Sequence, residues 1–143
     1  PYVSSSENTN TCTVNVANTY RMGGFGVKYT IPSSAKGDLY VTLTFQITIP
    51  GTSNIQTQWQ AAYDTGAAPA CNTQGIGRTV ANTYTVRSQS NTAGAISQSE
   101  TFVLQDGEHV AGATIWVDIQ AFDSTTASWV FSNPQITVAA FPA

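Results

Sequence analysis

From Val41 to Ile49 apolar and polar residues alternate without a break. Val41, Leu43, Phe45, Ile47 and Ile49 are interleaved with Thr42, Thr44, Gln46 and Thr48. A period of two sends the first set to one face of a pleated strand and the second to the other. The β-branched content suits such a surface. A slip of one residue would turn every apolar side chain to water, so the register is tightly specified. Tyr40–Ile49 therefore reads as a half-buried strand, and Pro50-Gly51 ends it, since Pro cannot continue a ladder. Ala113–Phe122 repeats the pattern. Ala113, Ile115, Val117, Ile119 and Ala121 share one face; Thr114, Trp116, Asp118, Gln120 and Phe122 share the other. Asp118 and Gln120 mark that second face as either solvated or paired, which predicts that Trp116 and Phe122 are partly exposed. The predicted core includes Val41, Leu43, Phe45, Ile47, Ile115, Val117 and Ile119.

Weaker strands follow the same logic at Thr13–Ala17, Gly24–Ile31, Ile55–Tyr63, Thr79–Arg87, Ser97–Leu104 and Gln135–Ala139, with a short piece near Trp129–Phe131. Turn clusters separate them at Ser33–Asp38, Asp64–Asn72, Asn91–Ala95, Asp106-Gly107 and Asp123–Thr126. No window carries a capped apolar stripe of helical period. About eight short strands and no helix predict an antiparallel β-sandwich, a jelly roll first and an immunoglobulin-like sandwich second. Residues 1–143 form one expected domain, with 1–11 as an extended N-terminal arm. Asp64–Arg78 is too long for a plain hairpin connection and is the expected functional or interface loop. Val16–Tyr20 recurs as Val80–Tyr84, a five-residue coincidence in a chain of this composition.

Composition narrows the function. Only 9% of the residues are charged, five basic against eight acidic. That leaves no electrostatic footprint for a phosphate backbone, so nucleic acid is not an expected partner. Hydrophobic residues reach 41%, too many for a disordered tail. The polar remainder is mostly uncharged, with 21 threonines. No apolar run approaches the ~18 residues of a membrane span. Removal of an initiator Met before Pro1 is the expected origin of this start, with cleavage of a leader the alternative. Cys12 and Cys71 are either one disulfide or two buried thiols. None of the nine asparagines lies in an Asn-x-Ser/Thr frame, which tilts the expected origin towards a bacterium or a virus.

The residues that could carry chemistry are few. His109, the single histidine, sits in Asp106-Gly107-Glu108-His109. No Gly-x-Ser-x-Gly elbow accompanies it, and a catalytic zinc site needs at least three ligands, so a polar hairpin tip is expected. Asp118 and Asp123 could act as a glycosidase pair only if they faced one cleft. Asp106 with Glu108, or Asp123 with Ser124, could contribute to a calcium site, but the EF-hand pattern is absent and ordinary turn Asp is the expectation. Gly23-Gly24-Phe25-Gly26 lacks the Lys-Ser/Thr of a phosphate loop and marks instead a bulge or a close backbone approach. Of the tryptophans, Trp59 is expected in the core, Trp129 over the end of the sandwich, and Trp116 at a ligand or subunit contact. No catalytic residue, metal or cofactor is expected.

In its low-charge Thr/Asn/Gln/Ser strands, its lack of helix and its closing stretch Ala127–Val138, the chain resembles the small β-sandwich proteins on the outside of tailed bacteriophages. These are head decoration proteins, head fibres and fibre-tip domains. The resemblance involves no diagnostic motif and transfers no residue roles. It implies a non-enzymatic protein of the virion surface, made in the host cytoplasm, that self-associates as a trimer or with another symmetry and contacts a capsid or tail protein or a host glycan. A surface this short of charge is poorly guarded against association, and the interface candidates are Trp116, Phe122 and the loop tip Ala67, Ala68 and Pro69. The alternative is a secreted carbohydrate-binding module or adhesin domain.

Overall fold

A computed structural model describes residues 2–35, 37–49, 55–80, 83, 85–89, 94–105, 107–124, 126 and 128–140. Its strands are β1 (Tyr2–Glu7), β2 (Thr11–Val14), β3 (Tyr20–Met22), β4 (Val27–Thr30), β5 (Leu39–Ile49), β6 (Ile55–Thr65), β7 (Arg78–Thr79), β8 (Thr85–Gln89), β9 (Gly94–Leu104), β10 (Thr114–Asp123) and β11 (Trp129–Ala140). The stop at Pro50-Gly51, most of the turn at Asn91–Ala95, Asp106, and part of the Val80–Tyr84 repeat lie outside the described residues.

Eleven segments occupy eight positions. β1 and β2 run in line along one side of β11, with Tyr2 opposite Ala140 and Val14 opposite Trp129. β3 and β4 line up in the same way on β10, as do β7 and β8 on β6. One sheet is therefore β1/β2–β11–β5–β9 and the other β3/β4–β10–β6–β7/β8, with every strand pair antiparallel. Consecutive positions mostly swap sheets, which is the jelly-roll winding. Tyr2–Glu7, within the expected extended arm, is an edge strand on β11, where its backbone finds a full ladder.

The splits have local causes. Gly23–Gly26 separates β3 from β4, and Gly24 takes φ +64° where its Cα side lies against the Cys71 backbone. A side chain there would overlap that backbone, so glycine is required. β11 contains both of the pieces expected at Trp129–Phe131 and Gln135–Ala139. A bulge between Ser132 and Gln135 joins them, with Asn133 at φ 51° and Pro134, which has no N–H to donate.

The core lies between the sheets as the alternation predicts. Val41, Leu43, Ile47, Val117 and Ile119 are fully buried, and Phe45 and Ile115 are 2% exposed. Phe45 is the hub: its ring lies 5.1 Å from Phe25, 6.1 Å from Trp59 and 6.0 Å from Phe131, which joins the two sheets through tilted and edge-on contacts. Trp59 and Trp129 are also fully buried, Trp129 in the core rather than over an end.

On the outer face of β10 the polar residues are paired rather than solvated, and the expected exposure of Trp116 is corrected. Trp116 is 2% exposed, Asp118 1% and Gln120 8%, so this face is covered and not solvated. The cover is the chain's own segment 66–77. It leaves β6, crosses β10 and pairs along β3, where Asn72 N–H donates to Met22 O and Met22 N–H to Thr73 O, each at 2.9 Å. It then returns over Trp116 to β7. Gly77, at φ +91°, lies so close to the Trp116 ring that a Cβ would overlap it. Gln120 Nε2 donates to Ile76 O at 2.8 Å, which is how a buried amide is tolerated here. Met22, Ala62 and Trp116 form a second small core beneath this flap, with Ala68 packed on it.

A disulfide fixes the flap. Cys71 bonds Cys12 on β2, with Cα atoms 5.5 Å apart and a sequence separation of 59. The flap of one sheet is thereby tied to the edge of the other. On the chain-entropy estimate a loop of this size contributes about 4 kcal/mol. The Cys12→Ser/Cys71→Ser variant should unfold in urea with stability lower by about 2–4 kcal/mol, and reductant should shift the wild type towards it. Equal midpoints with and without reductant would show that the bridge does not hold the flap.

Candidate functional site

The interface residues picked from sequence fall in different places. Trp116 is sealed inside its own chain, so its side chain is not available to a partner as first expected. Phe122 is half-buried and packs on Tyr20 with ring centroids 5.2 Å apart. Ala67 is exposed and Pro69 partly covered, while Ala68 packs inward on the small core of Met22, Ala62 and Trp116.

Asp118 and Asp123 do not face one cleft. They stand at even and odd positions of a strand with unbroken register, hence on opposite faces. Asp118 Oδ2 accepts from Gly24 N–H at 3.0 Å and Phe25 N–H at 3.4 Å, and Oδ1 from Ile119 N–H at 2.7 Å. Its task is to satisfy the backbone of the β3/β4 bulge. Burial raises its pKa to about 7 against the opposing pull of those N–H groups. Asp123 is fully buried, and burial raises it likewise to about 7, with the Thr57 hydroxyl pulling the other way. Glu100, on β9, points inward and accepts from Trp59 Nε1 at 3.0 Å and Thr85 Oγ1 at 2.8 Å. Among the described residues no three His, Cys, Asp or Glu side chains converge on a point that could hold a metal; Asp106 lies outside them.

A concave site does exist at the end of the sandwich where the β4–β5, β6–β7 and β9–β10 connections meet. Tyr63, Asp64, Arg78, Glu108, His109 and Val110 line a pocket of about 100 Å³, which opens into a wider groove past Thr79 and Gln105. Arg78 organises it. Its Nη1 donates to Glu108 O at 2.9 Å, its Nε lies 4.0 Å from Asp64 Oδ1, and its guanidinium sits 5.7 Å from the centre of the Tyr63 ring. The Arg78 and Asp64 side chains are 57% and 34% exposed, so this ion pair is screened and adds little stability. Burial raises the Tyr63 phenol above its usual range. His109 Nε2 lies 2.9 Å from Gly37 O and so carries the proton. Its Nδ1 is buried and without a partner. A carboxylate, a guanidinium and an aromatic ring at one mouth suit a ligand rich in hydroxyls. The sequence pointed to the Asp64–Arg78 loop but not to its two ends, which are the residues that line the pocket. It gave His109 only a hairpin-tip role.

No protein-family model and no curated protein matches the chain. Solved structures do. One of infectious bursal disease virus, Gx strain, aligns with 99% of this chain at 12% identity and a TM-score of 0.55. The crystal structure of the infectious bursal disease virus VP2 subviral particle aligns with 97% at 11% identity and the same TM-score, 0.55. The chain spans about a third of the length of those proteins, 35% and 32%. At such identities the likeness is one of fold: an antiparallel β-sandwich shared with viral-particle structures.

Two outcomes follow. Trp116→Ala should lower folding stability by about 3–5 kcal/mol in a denaturant titration, as expected for a buried Trp, with no change if the face is open. A carboxyl group raised by folding binds its proton in the native state first, so the native state is favoured at low pH and that advantage is lost as pH rises towards about 7. The unfolding midpoint should therefore climb from pH 8 to pH 5, and Asp118→Asn should flatten that slope. A midpoint that falls over the same interval would mean both carboxylates are stabilised as anions.

Proposed function

We propose that the chain is a non-enzymatic structural and binding protein of a virus particle, carried on the surface of a tailed bacteriophage as a capsid decoration or fibre protein. The observation that carries this is the pairing of a jelly roll shared with viral-particle structures with the structural use of the chain's reactive groups. Glu100 and Asp118 hold the fold together by hydrogen bonds, and Asp123 is buried. Placement on a bacteriophage rests on the sequence resemblance. The weakly charged exterior supports packing against copies of itself or a capsid or tail protein, and the trimer implied by that resemblance is one possible closure.

A second reading, a carbohydrate-binding module or adhesin domain, is favoured by the pocket at Tyr63, Asp64, Arg78 and His109, and the two are compatible in a host-attachment protein. Antibody against the purified chain should label intact phage particles in electron micrographs, at regular head or tail positions. Recovery only from particle-free medium, together with glycan-array binding lost in Asp64→Ala, would replace the virion assignment with the second reading.

A further inference from the structure

The four sheet edges are not equally protected. The β3/β4 edge is covered by residues 72–75 of the flap, which hydrogen-bond along β3, and β4 carries Lys28. The β1/β2 edge is interrupted between Glu7 and Thr11, and its longer piece ends in a charge at Glu7. The β7/β8 edge is interrupted between Thr79 and Thr85 and starts at Arg78. Short strands, interruptions, charges and covering segments are the ordinary defences of an edge.

β9 has none of them. It runs eleven residues, Gly94–Leu104, in unbroken register with β5. Among the described residues it has a strand partner on that side only. It contains no Pro, Lys or Arg, and its single charge, Glu100, is turned inward and bonded to Trp59 Nε1. The outward side chains Ala95, Ser97, Ser99, Thr101 and Val103 are all exposed and uncharged. About 37 Å of strand, at roughly 3.4 Å per residue, thus offers backbone donors and acceptors with nothing to repel a second strand.

We infer that β9 pairs antiparallel with β9 of a second copy, which joins two four-stranded sheets into one of eight strands across a two-fold axis. The sequence of the strand is complementary to itself. With the axis at Ser99, Ser97 faces Thr101 of the other copy and Ala95 faces Val103. On the inner face Gln98 meets Glu100, an amide against a carboxylate, and Ile96 meets Phe102. No like charges meet anywhere along the ladder, whereas a charged foreign strand would gain no ion pair from it. An antiparallel pairing of identical edges is isologous and closes at two copies. The elementary contact is therefore a dimer, and a three-fold assembly would need a different surface. This inference does not depend on the virion assignment, since a pair would form whether the chain decorates a particle or binds a glycan.

Edge pairing covers less surface than the roughly 800 Å² per partner of a standard interface, so the dimer should be weak and reversible. Sedimentation velocity of the full chain from micromolar to millimolar concentration should show monomer passing to dimer. Ser97→Lys/Ser99→Lys, at exposed positions, should keep the wild-type circular dichroism and weaken the dimer at least ten-fold. Ser99→Cys should cross-link to a covalent dimer on mild oxidation, while Ser97→Cys, which would face Thr101, should not. A chain that stays monomeric throughout, one that goes to trimer, or a dimer indifferent to the two lysines would overturn the inference.

Discussion

The outer part of the structure depends on one constraint: segment 66–77 must stay pressed against the outside of β10. A jelly roll needs only its inner faces dry, and a strand such as β10 could have left Trp116 and Gln120 in water. Here the flap removes them from it, and three independent interactions keep it down. Backbone pairing with β3 supplies direction, Ala68 on Trp116 supplies apolar contact, and the Cys12–Cys71 bridge limits how far the segment can drift. The close approaches at Gly24 and Gly77 exist because the cover is tight.

That cover has an electrostatic consequence. Asp118 is placed where water cannot reach it, and its compensation is the set of N–H groups exposed by the β3/β4 bulge. The bulge and the acid satisfy each other. A buried carboxylate without donors would be costly, and a bulge with unpaired N–H groups equally so. The same flap leaves β6 after Thr65 and rejoins the sheet at Arg78, so Asp64 and Arg78 on either side of it form one wall of the pocket that His109 closes from the β9–β10 connection. Covering β10 and building the pocket are thus two results of one excursion of the chain.

Charge is scarce enough for its distribution to be informative. Lys28, Glu7 and Arg78 stand at three edges, and the remaining long edge has its one acid turned to the interior. The exterior of the β5 sheet is correspondingly a ladder of hydroxyls and amides. Thr42 lies between Thr137 and Thr101, and Thr44 between Gln135 and Ser99. Such a face is hydrated without being repulsive, which suits a protein that works in contact with other copies or a larger surface.

What the sequence determined by itself was everything a local period can encode. The alternation at Val41–Ile47 and at Ile115–Ala121 settled strand type and the inward set, because a period of two leaves no other arrangement that buries those residues. The glycine run announced its bulge, and the absence of helical periodicity with about eight strands announced the jelly roll. The tertiary structure alone decided what covers the second face of β10, since Asp118 and Gln120 read equally as solvated or paired and only distant segments supply their partners. It also decided that Cys12 meets Cys71, that Pro134 sits in a bulge within one strand rather than between two, and that Asp64, Arg78 and His109 share a pocket. Except for the bulge, each of these joins residues far apart along the chain, and alternation carries no information about which distant segment will come to lie on which face.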